Sequence, residues 1–213
     1  MRAARIAICI ALLTTLLFSE KRFNPPPAAQ ASTYALHETH NDEKVTVAVQ
    51  PCDTPETAKA FKTNYRGYAL YPVRLIISND SDSTLMLEDL QIEYITANRD
   101  KLQPATDDDI YRRLVKPNKA DQGQPGIKLP IPIGKKQPIS SDMIEEYHTA
   151  QFQKVPVTPH STNSGYLFFD VIDEGGAPLG GHLEISGIKA GTKELFYFDI
   201  PMDKPANGAA NSN

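Results

Sequence analysis

The sequence predicts a mainly β fold, an antiparallel β-sandwich of about seven strands with a helical, proline-rich insertion. Short segments carry apolar residues at every second position, which is the period of half-buried strands. Connections rich in Asn, Asp, Ser and Gly separate these segments and favour turns. Helical patterns are confined to one stretch, at about residues 100–152. Strands joined by polar turns, with a single helical excursion, are typical of a β-sandwich.

The N-terminus has the three regions of a secretory signal. Arg2 and Arg5 precede an apolar run, and Ala29-Gln30-Ala31 then supplies small residues for a cut before Ser32. The apolar run would cover about 20 Å as a helix, whereas a bilayer core needs about 30 Å. We therefore predict an exported protein, periplasmic or extracellular, with a membrane anchor formed by an uncleaved N-terminal segment as the alternative.

The predicted domain organisation follows from these patterns and from the composition of the two ends. It is a signal peptide (1–31), a flexible N-terminal segment (32–44), a single sandwich domain (45–201) with the insertion at about 100–152, and a disordered tail (202–213).

The net charge limits the class of partner, and the cysteine content shows whether an intramolecular disulfide can stabilise the fold. The chain without residues 1–31 keeps 18 basic and 25 acidic side chains, a formal charge of −7. This excess argues against nucleic acid or an anionic bilayer as the main partner. Cys52 is then the one remaining cysteine, and we interpret it as a small buried hydrophobe. A nucleophile or an intermolecular disulfide is the alternative.

The segment Tyr71–Asn79 is the predicted central strand. Val73, Leu75 and Ile77 share one face, and the opposite face mixes apolar and polar residues. The polar run after Asn79 predicts a hairpin turn, and a change of phase near residues 88–89 predicts a β-bulge or a short break. The predicted strands lie near 45–50, 72–79, 90–97, 153–158, 165–172, 182–188 and 194–200.

The insertion predicts two helices separated by an extended, proline-rich stretch. Thr106 followed by three Asp residues is typical of a helix N-terminus, and Ile110 and Leu114 would share its buried face. Five prolines between residues 116 and 140 favour extended chain. The second helix is capped by Ser140 or Ser141. Its predicted inward stripe is Met143, Tyr147 and Ala150.

The insertion also concentrates positive charge on an otherwise acidic chain. Seven basic residues and one acid, Asp121, lie between Tyr111 and Ser141. We therefore predict that the insertion contacts a partner. The candidate partner-binding residues are Arg112, Arg113, Lys116, Lys128, Lys135 and Lys136.

Several residue pairs invite a chemical interpretation that their spacing does not support. Two histidines in H-E-T-H lack a third ligand at a fixed spacing, and Glu145-x-x-His148 lacks the second copy of a di-iron site. His160 and Ser161 are neighbours in sequence only. We predict no catalytic residue, no metal and no cofactor. The alternatives are a Ca²⁺-stabilised module that uses Asp80, Asp82 or Asp107–Asp109, and a hydrolase with an unrecognised site.

Two segments carry a resemblance to a known group. V-R-L-I-I-S-N-D-S-D-S-T-L-M-L-E-D-L-Q-I-E-Y-I-T-A and V-T-P-H-S-T-N-S-G-Y-L-F-F-D-V resemble bacterial extracytoplasmic immunoglobulin-like domains of unknown function. The resemblance covers about residues 45–100 and 153–201 and implies an immunoglobulin-like sandwich. It brings no catalytic residues. It implies a secreted or envelope-attached binding or accessory role. From the basic insertion, we expect the partner to be another envelope protein or an acidic surface polymer.

Overall fold

The structure is a computed structural model that describes residues 23, 25–115, 141–173 and 180–203. Most of the predicted signal peptide, the proline-rich part of the insertion with its lysines, and most of the predicted tail lie outside the described residues. Within them the chain is mainly β, an antiparallel β-sandwich, as the sequence predicts.

The described residues form eleven strands and three α-helices. The strands are β1 (Leu36–His40), β2 (Val45–Pro51), β3 (Leu70–Asn79), β4 (Leu85–Met86), β5 (Gln91–Ile95), β6 (Lys101–Leu102), β7 (Ser161–Asp170), β8 (His182–Ser186), β9 (Lys189–Ala190), β10 (Lys193–Glu194) and β11 (Phe198–Pro201). The helices are α1 (Pro55–Ala58), α2 (Asp107–Val115) and α3 (Ser141–Ala150), with 3₁₀ turns at Ala31–Thr33 and Tyr65–Tyr68.

Two four-stranded antiparallel sheets make the sandwich. The first sheet has the order β1-β2-β3-β7 and the second has the order β11-β8-β5-β6, while β10-β9-β4 form a small ribbon. β3 lies between β2 and β7, with Leu75 opposite Val49 and Gly165. All ten residues of β3 are buried, which confirms it as the central strand.

The main core lies between the two sheets, because alternate residues of each strand point inward. Val73, Leu75 and Ile77 of β3 pack there with Leu183 and Phe198 of the second sheet. The other face of the first sheet carries a second apolar cluster, which the insertion helices cover. That cluster contains Leu70, Tyr166, Phe168, Ile110, Leu114, Tyr147 and Ala150. We call α1, the turn Tyr65–Tyr68, α2 and α3 together the helical layer.

The helical layer confirms the predicted helices of the insertion. Thr106 Oγ1 accepts the N–H of Asp109 at 3.3 Å, and Asp109 Oδ2 accepts the N–H of Thr106 at 3.0 Å, which is a capping box. Ile110 and Leu114 are both buried, as predicted. Tyr147 and Ala150 of α3 are also buried. The insertion helices therefore form a third layer on the sandwich, and their apolar faces are packed.

The segment 32–44 differs from the flexible terminus that we predicted. Its residues 36–40 form β1, which pairs with β2 so that Leu36 faces Val49 and His40 faces Val45. Residues of β1 alternate between half-buried and exposed. The ring of His40 stacks on the ring of Phe198, with their centroids 3.9 Å apart. The polar sequence of β1 is that of an edge strand with one face in solvent.

The predicted boundaries of the later strands also need correction. Residues 153–158 form no strand, and Val157 makes an isolated bridge to Leu85. β7 begins at Ser161, within the predicted polar connection. Its first four residues are only partly buried, so polar side chains are tolerated at the start of this strand. At the C-terminal end order extends into the predicted tail, since Met202 is buried and its N–H bonds to the carbonyl of Gly181 at 2.9 Å.

The turn after β3 joins two layers of the structure. β3 belongs to the first sheet and β4 to the ribbon, so the predicted hairpin between them is wrong. The predicted break near residues 88–89 is confirmed, because β4 ends at Met86 and the chain reaches the second sheet only at Gln91. The change of sheet gives the physical reason for the change of hydrophobic phase.

Candidate functional site

A cleft of about 220 Å³ opens in the helical layer, where α1 and the turn Tyr65–Tyr68 meet the end of β2. Its lining residues include three basic side chains and no carboxylate. They are Cys52, Pro55, Ala58, Lys59, Phe61, Lys62, Thr63, Asn64, Tyr65, Arg66 and Pro72. The cleft thus combines an apolar floor with a basic rim.

Local capping interactions shape both walls of the cleft. Thr54 caps α1, because its Oγ1 accepts the N–H of Thr57 at 3.2 Å and Thr57 Oγ1 accepts the N–H of Thr54 at 3.1 Å. Pro55 fits the first turn, where an N–H has no helical partner. The Asn64 side chain accepts the N–H of Gly67 at 3.3 Å and starts the 3₁₀ turn. The lysines of the rim therefore lie on a fixed loop.

Glu146 of α3 ties this loop to the insertion. Its carboxylate accepts the N–H of Lys62 at 2.7 Å and the N–H of Thr63 at 3.0 Å, although the residue is only 4% exposed. No motif in the sequence marks Glu146. Its spacing could have indicated its burial, because Glu146 lies three residues after Met143 and therefore on the inward face of α3.

Cys52 lies at the floor of the cleft and is 2% exposed. Burial, and secondarily the nearby charge of Asp53, raises the pKa of the Cys52 thiol to about 12. The thiol is therefore protonated at neutral pH, and a protonated thiol is a poor nucleophile. This confirms the interpretation of Cys52 as a small buried hydrophobe.

The rim cations differ in how the structure holds them. Lys59 and Lys62 are exposed, whereas Arg66 is half-buried and donates from Nη1 to the carbonyl of Asp53 at 2.9 Å. The acids nearest in sequence are Asp53 and Glu56, beside the lining residues. Glu146, the acid that contacts this loop from α3, binds its backbone N–H groups and does not line the cleft.

The structure describes two of the six predicted partner-binding residues. Arg112 is about half exposed and is paired with Asp109 one turn earlier in α2. Arg113 is mostly buried, and its Nε donates to Asp170 Oδ2 of β7 at 2.7 Å. Arg113 thus fastens α2 to the first sheet. Lys116, Lys128, Lys135 and Lys136 lie outside the described residues.

His160 and Ser161 do not meet as a catalytic pair. His160 Nε2 lies 3.3 Å from Asp82, and the Ser161 hydroxyl donates to the carbonyl of Thr158 at 2.7 Å. His160 also has a left-handed backbone, with φ of 55°, in the turn before β7. The two side chains thus take part in separate turn contacts.

Four of the five acidic residues considered for Ca²⁺, Asp80, Asp82, Asp107 and Asp109, have protein partners. Asp107 accepts the Tyr147 hydroxyl at 2.8 Å, and Asp80 accepts the Gln30 amide at 3.3 Å. Hydrogen bonds from Thr106 are the main cause that lowers the pKa of the Asp109 carboxyl. In the described part of the chain, no group of three or more His, Cys, Asp or Glu residues is arranged to hold a metal ion.

Comparisons with known proteins add one distant structural likeness. No family model and no curated protein matches the chain. Among solved structures, the secreted protein MPT63 from Mycobacterium tuberculosis is similar with a TM-score of 0.36 and 11% sequence identity, over 82% of this chain and 98% of that chain. None of the helices in the described residues is long and apolar enough to cross a membrane.

Proposed function

We propose that this protein is a non-catalytic, exported binding module of the cell envelope that recognises an acidic partner through its helical layer. The partner is an acidic segment of another envelope protein or an acidic surface polymer. In both cases the protein would bind a series of carboxylate or phosphate groups on the partner. The observation that carries the proposal is the basic rim of the cleft, which is formed by Lys59, Lys62 and Arg66.

The arrangement of the rim favours recognition of an acidic group over a purely structural role. Three cations border one cleft and no carboxylate lines it, although the chain as a whole has more acids than bases. An acidic group in this cleft would meet opposite charge at the rim and apolar surface below. Such complementarity raises the rate of association and selects against basic partners.

The insertion residues extend the proposed contact along the same layer. Arg112 is exposed on α2, and we include with it Lys116, Lys128, Lys135 and Lys136 of the following stretch. Arg113 supports the contact by holding α2 on β7 through Asp170. A polyanion that spans several of these cations would bind more tightly than a single carboxylate.

The test compares the wild-type protein with a Lys59→Gln, Lys62→Gln double variant. Binding to polyglutamate and to polygalacturonate is measured at several salt concentrations. Polyglutamate represents an acidic polypeptide, and polygalacturonate represents an acidic polysaccharide. We expect the double variant to lose about tenfold in affinity for the preferred polymer and to show a weaker salt dependence, because two exposed charges no longer contribute.

The matched control is a Lys101→Gln, Lys189→Gln double variant. Both lysines are surface residues outside the helical layer, on β6 and β9. The control removes the same charge, so it should bind as the wild type does, apart from a small general effect. Equal losses in the two double variants would mean that only net charge matters and would contradict the proposed site. The absence of wild-type binding to either polymer would contradict the acidic partner itself.

A further inference from the structure

An extended segment from the N-terminal side of the chain lies on the outer face of the first sheet. Phe23 stacks on Phe61 with ring centroids 5.5 Å apart. Further along, Ala31 is fully buried, and its N–H donates to Ser78 Oγ at 2.8 Å. We call residues 23 and 25–31 the strap. The surface beneath it, formed by Ala48, Phe61, Arg74, Ile76, Ser78 and Tyr166, is the strap groove.

Arg74 is the polar centre of the strap groove. It is 4% exposed, and its Nη2 donates to the carbonyl of Pro26 at 2.5 Å and to Ser164 Oγ at 3.2 Å. Its guanidinium carbon lies 5.8 Å from the centre of the Tyr166 ring. Among the described residues no carboxylate is within salt-bridge distance of Arg74, and no atom accepts from its buried Nε.

A buried guanidinium N–H without an acceptor, such as Arg74 Nε, is unusual, because buried polar groups are nearly always hydrogen-bonded. The strap therefore fills the groove without using all of its hydrogen-bonding capacity. A covering segment that contributed only structure would gain stability by pairing Nε. The groove therefore holds the strap through the Nη2 bond to Pro26 and keeps one further donor, Nε, that no described atom accepts.

The strap has the properties of a peptide ligand. Pro25, Pro26 and Pro27 have no N–H and so cannot join the ladder of the sheet. A proline run is already extended before it docks, so its binding loses little conformational entropy. Its aromatic anchor, Phe23, contacts the rings of Phe61 and Tyr166. Aromatic-lined grooves are a common docking surface for proline-rich segments.

We propose that the strap groove is a docking site for an extended proline-rich segment of a partner polypeptide. The segment has an aromatic residue two positions before its prolines, and the strap occupies the groove in cis. This proposal does not rest on the acidic partner, because the peptide would contact apolar and aromatic residues and Arg74, although Phe61 also lines the cleft. It also gives the predicted cut before Ser32 a consequence, since that cut would remove the strap and leave the groove open.

The experiment measures binding of the fluorescent peptide F-N-P-P-P-A-A-Q-A to the exported chain. A Phe23→Ala chain loses the ring contact of its own strap, so its groove is more available. We expect this variant to bind the peptide about tenfold more tightly than the wild type. If the exported chain begins at Ser32, the wild type is expected to bind as tightly as the variant does. Mass measurement of the exported chain decides which comparison applies.

The control keeps the protein constant and changes the peptide to A-N-P-P-P-A-A-Q-A. Loss of the aromatic anchor is expected to weaken binding about tenfold. A photoreactive phenylalanine at the first position should crosslink to the tryptic fragments that hold Phe61 or Tyr166. Equal binding of the two peptides, crosslinks elsewhere, or no binding at millimolar peptide would overturn the proposal. If the Phe23→Ala chain does not fold, the wild-type chain at millimolar peptide gives the same crosslink test.

Discussion

At the residue scale, Asn79 shows how one buried side chain joins three parts of the chain. Its Nδ2 donates to the carbonyls of Ser83, Val157 and Thr158 at 2.8–3.2 Å, and its Oδ1 accepts from Ser81. The residue is fully buried at the end of β3. The sequence marked Asn79 as the start of a turn, but the partners at 157 and 158 come from distant chain that no local pattern could show.

Asn79→Asp should destabilise the protein by about 3 kcal/mol, because a buried carboxylate would face three carbonyl oxygens without a donor. The free energy of unfolding from urea titration measures the loss. Asp82→Asn, on the exposed part of the same turn, is the control and should change stability by less than about 0.5 kcal/mol. Similar stability of the two variants would show that the Asn79 amide does not organise the turn.

The thiol of Cys52 gives a pH-dependent prediction. Burial raises its pKa from the ordinary 9.0 to about 12, so the folded state favours the neutral thiol. This contribution to stability is fully present below pH 9 and is lost as the pH rises through about 12. At pH 8 iodoacetamide should alkylate the native thiol at least about 100-fold more slowly than the thiol in urea. Equal rates would contradict the burial of Cys52.

At the element scale, the insertion returns to the first sheet through a close backbone contact. Phe152 follows α3, and its N–H donates to the carbonyl of Tyr166 in β7 at 2.9 Å. A Cβ built on Gly165 would lie 2.4 Å from the Phe152 Cα. The absence of a side chain at Gly165 is therefore what allows the end of the insertion to cross β7.

Gly165→Ala should destabilise the protein by about 2 kcal/mol, because the added methyl group overlaps backbone that cannot rotate away. Thermal unfolding followed by circular dichroism measures the loss. Gly67→Ala is the comparison variant, since a Cβ there meets only the side-chain amide of Asn64, at 3.1 Å, and overlaps no backbone. A Gly165→Ala protein as stable as this control would contradict the crossing.

The sequence was informative about elements that have a strong internal period. β3 and the two insertion helices were predicted with their buried faces, because alternation and capping are local signals. β1 was missed because an edge strand with one face in solvent has a polar sequence. The cleft was missed for a different reason. Its residues come from α1, the 3₁₀ turn and the strand ends, and Glu146 reaches it from α3, which only tertiary structure brings together.

At the scale of the whole molecule, the two outer faces of the sandwich differ. The first sheet is covered by the helical layer and the strap, whereas β5 and β8 of the second sheet place Glu93 opposite Glu184 on their outward side. Asp199 of β11 lies opposite Glu184. We therefore expect the proposed acidic partner to bind the helical layer and not the outer face of the second sheet, where it would meet like charge.

Site-specific photocrosslinking in intact cells tests this assignment most directly. A photoreactive residue is placed at Lys59 on the helical layer or at the exposed Gln91 of the second sheet. We expect an adduct from position 59 that added polyglutamate or polygalacturonate suppresses, and no such adduct from position 91. An adduct from position 91 alone, or one from position 59 that neither polyanion affects, would contradict it.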